Sequence, residues 1–259
     1  MAFKNFRLKN PDDKPERVSR KKRKERQERK ERLEKILAYI NDYIIHPDST
    51  LNDIRGDIIF NIVKIYTDKI NFQLSEDTIT GKHSEGERYY PLGDFFDDYS
   101  KPSAIKLEMP FKISLARDPV LTEIWNPKSH AETLNNVATP ANPWTQQKDH
   151  WFSLYLPMGV TVVHNGNHSA NCGIIKGEGE LIFDFEATGK SKIYDMSHLY
   201  KDYYYDGTDF RSKTDKFFRM SGSFESGCIF EIGRVIQKNR MKISFLNTLK
   251  MRNKKHYSH

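Results

Sequence analysis

The chain has 259 residues and a mass of 30.4 kDa, with a net charge of +7, a pI of about 9.1 and a mean hydropathy of −0.74. This length allows one sizeable domain with appendages or two small domains, and 37% hydrophobic residues is low for a globular protein. Cys172 and Cys228 lie far apart without Cys-x-x-Cys spacing, which argues against a disulfide scaffold and a cysteine-based zinc site. With no signal-like apolar segment and no run of about 18 apolar residues, a soluble cytoplasmic protein with no membrane partner is expected.

The charge is local. Residues 14–35 hold 12 Lys and Arg against 5 Glu, and removing them from the chain's 42 basic and 35 acidic residues leaves 30 of each. Residues 1–14 read as a disordered tail, and 15–72 as a helical region bearing a basic arm. Glu25–Arg29, Glu28–Arg32 and Glu31–Lys35 stand four apart with the acid first, the better order for helix ion pairs. Leu33, Ile36, Leu37, Ile40 and Ile44 then fall on one helical face, so the second half of this helix docks while the first half projects. His46-Pro47 ends it. A second helix, capped by Thr50 or Asn52, is marked by Ile54, Ile58, Ile59, Ile62, Val63 and Tyr66.

Residues 73–104, with Tyr90-Pro91 and Lys101-Pro102, read as an irregular connection with short helical turns. The body is expected over 105–245. Strand patterns occur at 112–116, 151–156, 161–163, 181–185, 217–220 and 228–232, and helical patterns at 129–137 and 168–176. The order predicts a mixed α/β fold with a small mixed sheet, followed by a basic C-terminal tail over 246–259.

One segment carries chemistry. Thr161-Val162-Val163 is a β-branched strand, Asn165-Gly166 a tight turn, and Asn167 or Ser169 can cap a helix beyond it. Free N–H groups at a helix start attract anions, and His168 adjoins them as a group able to exchange a proton near neutral pH. Asn165-Gly166-Asn167-His168-Ser169 resembles the Asp-Gly-x-His-Arg segment of the ParB/sulfiredoxin-like superfamily, where a strand runs into a helix at nucleotide phosphates. Residues 113–119 resemble that family's opening strand, and the likeness covers 105–185.

The resemblance implies binding of nucleotide or nucleic acid, with phosphodiesterase (nuclease) or nucleoside-triphosphatase activity and a nucleoside triphosphate with Mg²⁺ as cofactor. Carried over by position, His168 would act as acid, base or phosphate ligand, Asn165 and Asn167 would orient substrate, and Gly166 and Ser169 would contact phosphate. Two departures weaken the match. Ser169 replaces the family's Arg, for which Arg117 is the substitute considered, and Asn167 stands where sulfiredoxin's reactive Cys would be.

Other readings stay open. Asn165-Gly166 is also the strongest short hairpin signal, which would leave His168 an ordinary surface histidine. His164, Asp184 and Glu186 could hold a metal for a His/carboxylate nuclease, although Asp184 and Glu186 also suit the wet face of a strand. Tyr200, Tyr203, Tyr204 and Tyr205 could stack on bases or line a core. Arg20, Lys21, Lys22, Arg23 and Lys24 head an arm suited to nucleic acid, whose plain alternative is a solvated helix. The protein could then be a non-enzymatic nucleic-acid-binding or protein-interaction module with a silent ParB-like core.

Overall fold

The computed structural model of the chain describes residues 19–45, 55–82, 92–99, 111–183 and 191–241. The expected terminal tails, the Thr50 and Asn52 caps, His46-Pro47, Asp184 and Glu186 lie outside the described residues. The fold is mixed α/β, with seven helices and three small sheets among the described residues.

Helix α1 (Arg20–Tyr43) starts at Ser19, whose Oγ accepts from Lys22 N at 3.3 Å. Its second half docks as the periodicity predicts: Leu33, Ile40 and Ile44 are buried, and Ile36 and Leu37 pack against the core. The ion pairs along it among the described residues are Lys24–Glu28 and Lys30–Glu34 at 3.7 and 3.9 Å. Both place the cation first, unlike the acid-first pairs expected. Helix α2 (Arg55–Ile79) runs seven residues into the stretch read as irregular, because Ile70 and Leu74 extend its buried face. Helix α3 (Asp94–Tyr99) lies in the same stretch, and its Phe95 ring stacks on Phe210 at 4.2 Å.

Strand β1 (Phe111–Ser114) pairs antiparallel with β5 (Glu180–Phe183). Four strands form the central sheet in the order β2 (Val120–Leu121), β4 (Val160–Asn165), β3 (Trp151–Leu156) and β6 (Lys192–Asp195). The β3–β4 pair is antiparallel and the two outer pairings are parallel, so the sheet is mixed as expected. Helix α4 (Pro127–Asn136) follows β2, and α5 (Asn167–Lys176) follows β4 across the single residue Gly166.

Beyond β6, helix α6 (Leu199–Asp202) leads into an antiparallel meander of β7 (Tyr203–Tyr205), β8 (Asp209–Ser212) and β9 (Arg219–Ser221). Helix α7 (Phe224–Lys238) closes the described fold. It contains residues 228–232, read above as a strand. Apolar residues at 224, 228, 229, 232 and 236 follow a 3.6-residue period, and the Ser223 cap accepts from Ser226 N at 2.9 Å. A five-residue apolar window hides that period.

Two contacts hold the meander in place. Arg234 of α7 ion-pairs with Glu231 at 2.7 Å and donates to the Tyr200 and Tyr203 carbonyls, while Glu231 accepts from Tyr205 N at 2.8 Å. At the β7–β8 turn, Gly207 (φ +93°) lies against α1, and a β-carbon there would stand 2.7 Å from Lys30 Cα and 2.8 Å from Lys30 N. Both obstacles are backbone and cannot rotate away. Gly207→Ala is therefore expected to cost about 1–3 kcal/mol, from the clash and the left-handed backbone. Urea denaturation measures this, and a change below about 0.5 kcal/mol would contradict the docking of α1 on this turn.

Candidate functional site

The strand–turn–helix expected at 161–176 is present. Strand β4 ends at Asn165, Gly166 takes a left-handed backbone (φ +82°, ψ +21°), and α5 begins at Asn167 without a side-chain cap at Gly166. The hairpin alternative is therefore wrong for Asn165-Gly166, because the chain turns into a helix. Gly166 is required by more than its φ: a β-carbon would fall 1.7 Å from His150 Cδ2.

That imidazole governs Ser169. His150 is buried and stacked on Trp144 at 5.4 Å between ring centres. Its Nδ1 accepts from Gln147 N at 2.8 Å, so the proton of the neutral ring sits on Nε2, which donates to Ser169 Oγ at 2.7 Å. Ser169 Oγ in turn donates to the Gly166 carbonyl at 3.1 Å. In this tautomer His150 cannot accept the Ser169 proton, and the hydroxyl is committed to bracing the bend. Burial pushes His150 below its ordinary value against the opposing charge of Asp149, in keeping with a neutral ring.

The neighbours are similarly committed. Asn165 donates to the Asp149 carbonyl at 2.7 Å. Asn167 is buried and its Oδ1 accepts from Glu123 N at 2.8 Å, tying the start of α5 to the segment after β2. The His168 ring packs edge-on to Trp125 at 4.8 Å and lies 6.4 Å from the His130 ring. Its Nε2 is buried without a hydrogen-bond partner among the described residues, while the other ring nitrogen bonds the Asn126 backbone. His168 therefore points into the α4–α5 junction. Both ring nitrogens of His130 and Nδ2 of Asn167 are also buried there without partners among the described residues, a setting that suits ordered water.

Arg117 is exposed on the turn after β1 and forms no ion pair with a described residue, while Asp118 caps that turn by accepting from Ser114 N at 2.6 Å. His164 stacks on Trp151 at 4.7 Å and its Nε2 meets Ser153 Oγ at 2.8 Å, so it and His168 serve different partners. Among the described residues, no group of three or more His, Cys, Asp or Glu is arranged to hold a metal ion. Cys172 and Cys228 are buried and free, and burial raises both thiols, Cys228 to about 12.

A different feature emerges at α1. Arg20, Lys21, Lys22, Arg23 and Lys24 are all exposed. Beyond them, a groove of about 560 Å³ lies between α1 and the β7–β8 hairpin, with Arg23, Arg26, Lys30, Tyr204 and Arg211 on its walls. This groove was not legible in sequence, because it joins segments some 180 residues apart. Of the four tyrosines considered for stacking, Tyr200 and Tyr205 are buried and Tyr203 packs on Tyr99 and Phe218. Tyr204 is 39% exposed.

Fold and surface together define a mixed α/β protein that carries a long basic helix against a small β-meander. Residues 18–243 match the model of a family of unknown function (DUF6710), and the chain belongs to that family. The match spans all of α1 and runs past the end of α7. No curated protein and no solved structure matches the chain. No helix among the described residues is long and apolar enough to cross a membrane.

The histidines set an acid limit on stability. Burial pushes His164 down to about 4, with Lys192 adding to the shift, and burial also lowers His130, His150 and His168. A histidine in the unfolded chain titrates near 6.5, so the unfolded state binds more protons once the pH drops below that value. Stability present above about pH 6.5 is lost as the pH falls towards about 4. Asp97, raised to about 6 by burial and by Asp94, Asp98 and Glu123, acts in the opposite sense and blunts the loss. The urea midpoint should fall between pH 6.5 and 4.5, less steeply in His164→Gln. A midpoint that is flat or rises over that interval would contradict the burial of these rings.

Proposed function

We propose that the protein binds nucleic acid through the cationic first half of α1. The carrying observation is where the charge sits on the helix. The positive end of a helix dipole favours acids, and α1 has none in its first turn. It has five consecutive cations instead, and those in the first turn are each unfavourable by about 0.3–1 kcal/mol for the isolated helix. A helix arranged for stability alone would reverse this order. Five cations beside a positive dipole end form a focused anion-attracting surface on a helix anchored by its second half. A polyphosphate backbone is the partner such a surface suits.

The Asn165–Ser169 segment serves in this reading as a brace, and the ParB/sulfiredoxin likeness as a distant, non-catalytic one. The buried Nε2 of His168, the tie from Asn167 to Glu123 and the fixed Ser169 hydroxyl support that choice. A second reading keeps phosphodiesterase or nucleoside-triphosphatase chemistry, with nucleotide and Mg²⁺, at the same bend. It is favoured by the start of α5, where the N-cap residue is Gly166 and so offers no side chain to accept from the first N–H groups.

One set of variants separates these readings. Replacing Arg20, Lys21, Lys22, Arg23 and Lys24 together by Gln should weaken binding to a labelled oligonucleotide by about 100-fold at 50 mM salt. It should also flatten the log–log salt dependence by up to about 3.5–4.5, at roughly 0.7–0.9 for each of five phosphates no longer neutralised. His168→Ala should leave binding unchanged. Unaltered affinity in the five-site variant would overturn the proposal. Hydrolysis of plasmid or nucleotide by the wild type, abolished in His168→Ala, would select the second reading.

A further inference from the structure

The groove beside α1 carries an inference that rests on the nucleic-acid reading and narrows it. Positions 23, 26, 30, 33, 37 and 40 follow alternating steps of three and four, so they form one stripe along α1. At the lower end the stripe is Leu33, Leu37 and Ile40, and it packs on the body. At the upper end it is Arg23, Arg26 and Lys30, and it faces the β7–β8 hairpin across the groove. The side of the helix that would be apolar in a simple docked helix therefore becomes cationic where the groove opens. Arg23 and Arg26 form no ion pair with a described residue.

The opposite wall is also ordered. Tyr204 pairs directly across the meander with Arg211, and Arg211 with Arg219, so the three side chains share one face of the sheet. Asp206 and Asp209 brace the two arginines, at 2.8 Å for Arg211–Asp206 and 2.7 Å for Arg219–Asp209. Burial pushes the Asp206 carboxyl up, but the N–H groups of Asp209 and Thr208 and the Arg211 guanidinium together hold it below its usual range. These acids are thus tied to the hairpin's own arginines and do not neutralise Arg23 and Arg26, while Lys30 keeps an exposed partner in Glu34 of its own helix, 3.9 Å away. Tyr204 keeps a large exposed ring on the edge strand, while its neighbours Tyr203 and Tyr205 turn inward.

We infer that the groove between α1 and the β7–β8 hairpin binds single-stranded nucleic acid, with a base stacked on Tyr204 and the flanking phosphates held by Arg23, Arg26 and Lys30. A volume of about 560 Å³ suits one or two nucleotides, not a duplex. The stacking platform makes the same demand, because a base can lie on Tyr204 only after leaving its own stack. Contacts to phosphate and to a ring face carry little base identity, so binding is tolerant of sequence.

The test compares fluorescence anisotropy of the full chain with single-stranded DNA, single-stranded RNA and duplex DNA of equal length, and 2-aminopurine fluorescence in the single strand. The wild type should prefer both single strands to the duplex and quench the 2-aminopurine. Tyr204→Ala should weaken single-strand binding roughly 5- to 150-fold, the range for one base–aromatic stack, and abolish the quenching. Tyr204→Phe should retain both, which separates the absence of stacking from a failure to fold. If duplex and single strand bind equally and Tyr204→Ala matches the wild type, while the five-site Gln variant still binds poorly, the groove assignment is overturned and the α1 reading stands. If no nucleic acid binds at low salt, both fail.

Discussion

At Arg29 and Lys30 the backbone of α1 lies against Gly207 so closely that no β-carbon fits between them. This contact fixes where a long charged helix meets a small β-meander. Below it, Leu33 and Ile40 enter the core, and the Arg32 guanidinium lies 4.6 Å from the centre of the Phe224 ring. Above it, the same helical stripe becomes Arg23, Arg26 and Lys30 and forms one wall of a groove. The Arg234–Glu231 pair holds the other wall by its backbone at Tyr200, Tyr203 and Tyr205. The surface is thus assembled by two local constraints, one of glycine sterics and one of a half-buried ion pair anchored in α7.

The second polar centre behaves differently. At the β4–α5 bend, Gly166 admits the His150 imidazole, and the tautomer set by Gln147 turns Ser169 into a link of the brace. Asn71, Ser75, Thr122 and Asn171 form a second, buried network, with Asn71 donating to the Val120 carbonyl at 2.7 Å and Asn171 to Thr122 Oγ1 at 3.1 Å. Buried amides and hydroxyls that satisfy one another specify a single arrangement of α2, β2 and α5. Polar residues gathered at one place on a chain are as able to fasten elements together as to act on a substrate.

The sequence displayed features that depend on near neighbours. The docked face of α1, the strands at 151–156 and 161–163, the helix after Gly166 and the mixed α/β class all follow from periodicity and turn chemistry over a few residues. The segment at 228–232 misled because five apolar residues fit a strand as well as a turn of helix, and only the wider 224–236 spacing decides. The reach of α2 to Ile79 was hidden by the polar residues on its outer face. For the site, the bend at Gly166 was legible, but the partners of Asn167, His168 and Ser169 were not, since Glu123, Trp125 and His150 come from other elements. Tyr204 stood among four tyrosines of equal promise, and strand alternation with core packing singles it out only in three dimensions.

In the proposed complex, nucleic acid lies between the cationic face of α1 and the Tyr204 face of the meander. Ultraviolet crosslinking of a 4-thiothymidine-containing single strand to the full chain, followed by peptide mapping, tests it most directly. Adducts are expected on peptides spanning 20–35 and 203–211, and they should disappear as salt is raised. Adducts confined to 165–169, or spread without preference over the surface, would contradict it.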